Sequence, residues 1–305
     1  ANTAYASSGI SGLGNEAVTL SDTSLATTVL NTLDGNTTGA VNAATVTTLT
    51  GTAATANTAY ASSGISGLGN EAVTLSDTSL ASSVLNTLDG NTTGAVNAAT
   101  VTTLTGLAAD ANTAYASNGI TGLGDEAVTL SDTSLATTVL NTLDGNTTGA
   151  VNAATVTTLT GTAATANTAY ASSGISGLGN EAVTLTDTAG VALTLHTLDS
   201  NTTGSVDAST VTSVTGVSPT VITIYNSNGI SGLGNEAITL TGDTTVSNTN
   251  TVAALTSGVV TATISEGDMS TLAGLTETGN AYTVTITDTS VVSSALNTLD
   301  GKTTV

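Results

Sequence analysis

The chain has no cysteine, no tryptophan and no phenylalanine, and it contains one proline among 305 residues. Without cysteine it has no disulfide, no thiol nucleophile and no cysteine metal ligand. Without the large aromatic residues that usually fill a core, the interior must be built from small side chains. Small side chains make thin cores, which are typical of solenoids and sheets.

The charge is almost entirely of one sign, and this limits the possible partners. The formal net charge is -21 at pH 7, and Lys302 is the single lysine or arginine. A basic surface that neutralises phosphates is therefore absent, and we expect no nucleic-acid partner. No apolar run approaches the ~18 residues of a membrane-spanning helix, so we expect no membrane insertion. Valine, leucine and isoleucine recur throughout, unlike in disordered chains.

The sequence repeats with a period of 55 residues. One tyrosine marks each repeat, at Tyr5, Tyr60, Tyr115, Tyr170 and Tyr225. Four repeats cover 1–55, 56–110, 111–165 and 166–220, and degenerate repeats fill 221–305. No change in composition marks a linker, so we predict one continuous repeat domain over 1–305.

Local patterns inside each repeat indicate strands and short helices. Apolar residues alternate with threonine at 17–20, 259–264 and 282–287, which is typical of strands. After the first of these runs, Asp22 is a candidate helix N-cap and Gly35 a candidate helix stop. The alanine-rich segment 52–61 also favours a helix.

These short elements and short connections predict an α/β solenoid. Each strand must lie parallel beside its predecessor, because the connections do not allow the chain to travel far. We expect coils of about 20 residues, with parallel strands stacked ~4.8 Å apart and short helices or helical turns between them. Equivalent residues would then stack on one another, threonine on threonine and asparagine on asparagine. An all-β β-helix is the alternative.

The two ends of the sequence are as repetitive as its middle. The first repeat is typical, and the last stops within a repeat at Val305. Solenoids usually carry atypical polar repeats at their ends. Two explanations stay open: the chain is part of a longer array, or one end docks on a neighbouring copy. Head-to-tail contacts of this kind generate filaments when they do not close into a ring.

Three sets of carboxylates recur with the repeat. They are Glu16, Glu71, Glu126, Glu181 and Glu236; Asp22, Asp77, Asp132 and Asp187; and Asp34, Asp89, Asp144 and Asp199. Stacked coils would align each set into a file of like charge, for which the chain offers almost no cations. Such files could bind divalent cations. Alternatively, these acids are solvated, cap helices and keep the protein soluble.

The third set is a candidate calcium site. Asp34 and Asn36 lie two residues apart around Gly35, and Ca²⁺ prefers carboxylate, amide and carbonyl oxygens. We therefore predict calcium ligands at four equivalent pairs: Asp34 and Asn36, Asp89 and Asn91, Asp144 and Asn146, and Asp199 and Asn201.

No other residues form a catalytic or cofactor-binding set. His196 is the only histidine, and nothing pairs with it as a catalytic triad requires. The glycine-rich segment 9–14 lacks the spacing of a dinucleotide loop and is interpreted as a turn. We expect the tyrosines to pack into the coils, with stacking on sugar rings as the alternative.

Three stretches of the sequence carry a resemblance to a known kind of protein. GISGLGNEAVTLSDT (9–23), LNTLDGNTTGAVNAATVTTLTGTAAT (30–55) and segment 259–290 resemble repeats of giant, acidic cell-surface proteins of marine cyanobacteria and related bacteria. These are adhesin or RTX-associated proteins rich in threonine, alanine and glycine. The resemblance implies export, a role at the cell surface and often calcium dependence. The glycine-rich RTX nonapeptide itself does not occur in this chain.

From these observations we expect an extracellular structural or adhesive protein rather than an enzyme. Its partners would be copies of itself, in filaments or a surface layer. A carbohydrate- or surface-binding adhesin module, with the tyrosine and asparagine files as its binding face, is the alternative. A β-helix enzyme acting on polysaccharides normally needs a basic residue beside its carboxylates, and the near-absence of lysine and arginine argues against one.

Overall fold

A computed structural model describes residues 1–305. The chain alternates short helices with short strands, as the local sequence patterns predict. The helices are α1 (Asn2–Tyr5), α2 (Thr27–Asn36), α3 (Ala53–Ala61), α4 (Ser82–Asn91), α5 (Ala108–Ala116), α6 (Thr137–Asn146), α7 (Ala163–Ala171), α8 (Ala192–Asn201), α9 (Ser218–Tyr225), α10 (Val246–Ala253), α11 (Met269–Leu272) and α12 (Ser293–Asp300).

The strands are two to eight residues long. They are β1 (Val18–Thr19), β2 (Ser24–Ala26), β3 (Val41–Asn42), β4 (Thr48–Gly51), β5 (Ile65–Ser66), β6 (Ala72–Leu75), β7 (Ser79–Ala81), β8 (Val96–Asn97), β9 (Thr103–Gly106), β10 (Ile120–Thr121), β11 (Ala127–Leu130), β12 (Ser134–Ala136), β13 (Val151–Asn152), β14 (Thr158–Gly161), β15 (Ile175–Ser176), β16 (Ala182–Leu185), β17 (Ala189–Val191), β18 (Val206–Asp207), β19 (Ser213–Gly216), β20 (Ile230–Ser231), β21 (Ala237–Thr244), β22 (Val260–Ile264) and β23 (Ala281–Thr283).

The chain divides into two compact units, each an α/β solenoid of parallel strands. The first comprises 1–132, 139–155 and 173–177 and holds the sheets β1-β3-β5, β2-β4-β6-β8-β10 and β7-β9-β11-β13-β15. The second comprises 133–138, 156–172 and 178–305 and holds the sheets β12-β14-β16-β18-β20 and β17-β19-β21-β22-β23. The α/β solenoid prediction is confirmed, and the all-β alternative is wrong. One continuous repeat domain over 1–305 stays a prediction.

Strand register sets the size of each coil. In the first unit Ser24 pairs with Thr48, and Thr48 pairs with Ala72, an offset of 24 residues. The next pairing, Val73 with Val96, is offset by 23. Coils are therefore longer than the predicted 20 residues. Two such offsets fall short of the 55-residue repeat, so equivalent strands of successive repeats, such as β2 and β7, lie in different sheets.

This mismatch changes which residues stack. Leu49, Val73 and Val96 form a buried file, each at most 1% exposed. On the outer face of the same strands, Thr50 pairs with Thr74, but Thr74 pairs with Asn97. The prediction that asparagine stacks on asparagine is therefore wrong for this file. Full burial of one such leucine or valine contributes about 1.5–3 kcal/mol.

The helices bury one narrow stripe each. In α2 the buried residues are Thr27, Leu30 and Leu33, and in α3 they are Ala53, Ala56 and Ala59. A spacing of three residues keeps each stripe on one helix face. The alanine-rich helix predicted at 52–61 is confirmed, since α3 spans Ala53–Ala61.

The predictions that Asp22 caps helix α2 and that Gly35 ends it are both wrong. Helix α2 begins at Thr27, after strand β2, so Asp22 is not its N-cap. The helix also continues through Gly35 to Asn36, and Gly35 does not adopt a positive φ. Since a glycine stop acts through the left-handed conformation, Gly35 is not a helix stop.

Candidate functional site: carboxylates between successive coils

A pair made of a half-buried tyrosine and a fully buried glutamate recurs in four repeats. The hydroxyl of Tyr115, at the end of α5, donates to Oε2 of Glu126 across 3.0 Å. The backbone N–H of Gly124 donates to the same oxygen across 2.8 Å. Glu126 has no exposed surface. The equivalent tyrosine–glutamate distances are 2.9 Å from Tyr60 to Glu71, 2.9 Å from Tyr170 to Glu181 and 2.6 Å from Tyr225 to Glu236.

The backbone of each buried glutamate contacts the segment between the next helix and the strand after it, which for Glu126 is the segment between α6 and β13. The carbonyl oxygen of Glu126 accepts a hydrogen bond of 2.7 Å from the hydroxyl of Thr147. Gly149 then packs so close that a Cβ there would lie 2.3 Å from the same oxygen. A glycine is therefore required at this contact, because any side chain would displace the backbone of Glu126.

The electrostatics of the pair favour a protonated phenol. Burial raises the pKa of Tyr115 above its usual range, and the nearby Glu126 raises it further. A protonated phenol is the form that can donate to the carboxylate. Oε1 of Glu126 is buried without a partner, as it is in Glu71, Glu181 and Glu236. A carboxylate with no exposed surface cannot touch a substrate, so this pair serves the fold.

The first repeat shows the same pair in an open form. Glu16 is half-buried, and its Oε2 lies 3.4 Å from the hydroxyl of Tyr5. The N–H of Gly14 donates to the same oxygen across 2.7 Å and lowers the pKa of Glu16.

Three members of the second carboxylate set, Asp77, Asp132 and Asp187, cap helices of the preceding coil. Oδ2 of Asp77 accepts from the N–H of Ala53, the first residue of α3, across 2.8 Å. Asp132 and Ala108 form the same bond at 2.8 Å. The acceptor therefore comes from 24 residues further along the chain rather than from the residue before the helix. Negative charge at a helix N-terminus also stabilises the helix dipole.

Further along the chain the same type of bond persists, first at the same spacing of 24 residues and then at spacings of 20 and 19. Oδ2 of Asp187 accepts from Ala163, Glu266 from Val246, and Asp288 from Met269.

The predicted calcium residues lie near the C-termini of the ten-residue helices. In α4, Oδ2 of Asp89 accepts from the hydroxyl of Ser117 across 2.7 Å. Asn91 instead donates from Nδ2 to Oδ1 of Asn57 across 3.0 Å. Ser117 follows the next helix, α5, whereas Asn57 belongs to the previous helix, α3. The two side chains of the pair thus reach opposite neighbouring coils.

The other pairs are placed in the same way. Asp34 accepts from Ser62 and Asn36 donates to Asn2; Asp199 accepts from Ser227 and Asn201 donates to Asn167; Asp144 lies in α6 and Asn146 donates to Asn112. The side chains of each pair are not brought together, and no group of three carboxylate, imidazole or thiol side chains lies close enough to share a metal ion. Calcium binding at these pairs stays a prediction.

The remaining polar residues singled out in the sequence are dispersed. His196 lies in α8, and its Nδ1 is buried without a hydrogen-bond partner. Lys302 donates from Nζ to the carbonyl oxygen of Thr276 across 3.0 Å. Neither residue joins a nucleophile and a base into a catalytic arrangement.

Sequence reasoning missed the tyrosine–glutamate pair, although a signal for it exists. The two residues are 11 positions apart in every repeat, and both persist at Tyr225 and Glu236, where most of the repeat has drifted. A pair that survives together in a degenerate repeat indicates a direct contact.

Comparison with known proteins adds no relative. No family model, no curated protein and no solved structure matches this chain. None of its helices has the length and apolar character needed to cross a membrane.

Proposed function

We propose that this chain is an extracellular structural or adhesive repeat protein and that it has no catalytic activity. One observation carries the proposal: the recurring acids accept hydrogen bonds that tie one coil to another or fix a loop to a helix. Asp77 bonds to Ala53, Asp89 to Ser117 and Glu126 to Tyr115. When the recurring polar residues bond to the coils themselves, a structural role is favoured over recognition of a small ligand.

The proposed partners are other copies of the same chain. Polymerisation end to end would yield filaments or a surface layer, as open head-to-tail contacts do. The cell surface is the proposed location, in line with the resemblance to giant surface proteins of marine bacteria. Calcium enters the proposal as a ligand of the Asp34–Asn36 pair and its equivalents. An ion there must compete with the serine hydroxyls that donate hydrogen bonds to Asp34, Asp89 and Asp199.

Electron microscopy of the purified chain tests this proposal. One sample is left untreated and one is incubated with EDTA. Filaments or sheets in the untreated sample are the expected result, and their loss in EDTA would support the calcium ligands. Filaments that remain intact in EDTA would support assembly without calcium. Dispersed single particles in both samples would contradict the assembly, and a glycan array would then test the carbohydrate-binding alternative.

A further inference from the structure

A groove on the surface of the second unit carries three exposed aliphatic side chains. Val191 is 51% exposed, Leu193 65% and Val217 49%. Val191 ends strand β17, Leu193 lies in the first turn of α8, and Val217 directly precedes α9. The groove, of about 400 Å³, therefore lies where the strand-to-helix junctions of two successive coils meet.

The apolar character of this groove is specific to the fourth repeat. In the first three repeats the position of Val191 is alanine, and that of Leu193 is threonine or serine. The position of Val217 is Thr52 in the first repeat and Thr162 in the third. Larger aliphatic residues thus stand in the fourth repeat at three positions that line the same groove.

In other repeats the equivalent place holds a cluster of three hydroxyl groups. The hydroxyl of Thr55 lies 2.6 Å from that of Thr27 and 3.0 Å from that of Thr52. The third repeat has the same cluster with the same two distances. The cluster satisfies each of these hydroxyls within the fold.

The fourth repeat breaks this cluster and leaves one hydroxyl free. Ala192 and Val217 occupy the positions of Thr27 and Thr52, and Thr220 occupies that of Thr55. Thr220 lines the groove, and its hydroxyl has no hydrogen-bond partner within the chain. This hydroxyl is therefore available to a group that enters the groove.

The two coils are packed tightly at the groove. A Cβ on Gly216, which lines it, would lie 2.7 Å from Cβ of Ala192. Thr215 pairs with Val191 in the sheet and also lines the groove. The groove is therefore a surface feature of a packed fold rather than a gap between coils.

The lining determines the chemistry of a ligand. Aliphatic side chains and threonines line the groove, and no charged side chain does. A charged headgroup would find no partner of opposite sign there, and the net charge of -21 repels anions in particular. Small-molecule sites have volumes of about 300–1,000 Å³ and combine apolar walls with a few polar groups. A stable interface between two proteins needs roughly 20–30 residues a side, far more than line this groove.

We propose that this groove binds an alkyl chain that carries an uncharged, hydroxylated headgroup. The alkyl chain covers Val191, Leu193 and Val217, and the headgroup bonds to the hydroxyl of Thr220. The site is separate from the self-assembly proposed above and does not depend on it.

Nuclear magnetic resonance of the whole chain measures the binding, with n-octyl glucoside below its micelle concentration as the probe. Signals of residues 191–193 and 215–220 should shift in a saturable way. Glucose lacks the alkyl chain and should bind at least roughly 10-fold more weakly. Octyl sulfate has the alkyl chain but a negative headgroup, and it should also bind more weakly than the glucoside.

Two variants test the residues that would hold the ligand. Leu193→Thr/Val217→Thr restores the threonines found at the equivalent Thr138 and Thr162, so the fold should be kept. Because two aliphatic side chains are no longer covered by the ligand, the dissociation constant should rise roughly 10- to 100-fold. Thr220→Val should raise it roughly 2- to 10-fold through the loss of one hydrogen bond.

Leu107→Thr is the matched control. Leu107 is 46% exposed and is equivalent to Val217, but Ala81 and Ser83 stand where the groove has its other two aliphatic residues. This change should leave the affinity for octyl glucoside unaltered. Circular dichroism should show that every variant keeps the fold.

The outcomes separate this site from other occupants of the groove. Equal affinities of the natural chain and Leu193→Thr/Val217→Thr, or of glucose and octyl glucoside, would overturn the proposal. The absence of any saturable shift would do the same. If sedimentation velocity shows that the double variant weakens association between copies, a second copy covers the groove and the ligand site is wrong. None of these results alters the expected electron-microscopy outcome for the natural chain.

Discussion

The hydroxyl of Tyr115 lies 3.0 Å from Oε2 of Glu126, and Glu126 has no exposed surface. The bond joins the C-terminal end of helix α5 to the residue just before strand β11. It thereby fixes the intervening glycine-containing loop, which also bonds to the carboxylate through the N–H of Gly124.

Removing either partner of this pair should destabilise the solenoid. Tyr115→Phe leaves the buried carboxylate with one donor fewer, and we expect a loss of about 1–3 kcal/mol in the free energy of unfolding. Glu126→Gln should cost a similar amount, because it weakens the acceptor and buries an unpaired amide. In the double variant the costs should not add, with a coupling of about 0.5–3 kcal/mol. Urea unfolding followed by circular dichroism measures all three.

Asp125→Asn is the control for this cycle. Asp125 is exposed, and asparagine occupies the equivalent position at Asn70 and Asn180. Its effect should stay within about 0.5 kcal/mol, as for most surface changes. Additive costs of Tyr115→Phe and Glu126→Gln would show that the two side chains do not interact.

The cap that Asp132 provides across coils makes a second prediction. Leu107 precedes helix α5 and has no side-chain acceptor, so the Asp132 carboxylate alone accepts from the N–H of Ala108. Asp132→Ala should cost about 0.5–2 kcal/mol, as loss of a helix cap does. It should also speed hydrogen exchange of the Ala108 amide. If Asp125→Ala destabilises the protein as much, the cap is not the cause.

Two glycines of one repeat should respond in opposite directions to alanine. A Cβ on Gly94 would lie 2.3 Å from the backbone oxygen of Glu71, and backbone cannot move aside cheaply. Gly94→Ala should therefore destabilise the protein by about 1–3 kcal/mol or more. Gly90 lies in helix α4 with nothing within 4 Å of the added Cβ, so Gly90→Ala should stabilise it by about 0.5–1 kcal/mol. Equal thermal midpoints for the two variants would refute this packing.

The half-buried phenols predict a loss of stability at alkaline pH. Burial raises the pKa of Tyr60, Tyr115 and Tyr170 above the value of about 10 that a phenol has in an unfolded chain. Above that pH the unfolded state releases protons that the folded state still holds. The contribution of these tyrosines to stability should thus be constant below about pH 10 and fall as the pH rises further.

Tyrosinate absorbance and far-ultraviolet circular dichroism test this together. The phenols should ionise in step with the loss of secondary structure. Ionisation of all tyrosines near pH 10 with the circular dichroism unchanged would contradict their burial.

Local patterns predicted the elements of the fold well. Alternation of valine and threonine predicted the strand at 259–264, seen as Val260–Ile264, and alanine content predicted α3. These features depend on neighbouring residues, so they can be read directly. The strand predicted at 282–287 is shorter, since β23 ends at Thr283.

Contacts between coils were not predictable in the same way. Asp22 was expected to cap α2, yet its equivalent Asp77 caps α3 of the preceding coil. The hydrogen-bond partner of each aspartate depends on the strand offset of 24 residues between coils. The 55-residue repeat is not a multiple of this offset, so the sequence repeat does not reveal the partner. Glutamate burial was missed for a related reason: a lone acid normally remains solvated, and Glu126 is buried because Tyr115 and the backbone of Gly124 donate to it.

The central claim is that the recurring carboxylates are acceptors built into the fold, and hydrogen exchange at the Gly124 amide tests it most directly. This amide lies in a loop and bonds to the Glu126 side chain, whereas Val128 bonds to the backbone of Ala150 within the sheet. We predict that the Gly124 amide is protected to a similar degree as the Val128 amide, and that Glu126→Gln reduces protection at Gly124 first. Exchange of the Gly124 amide at the rate of a free loop in the natural chain would contradict the claim.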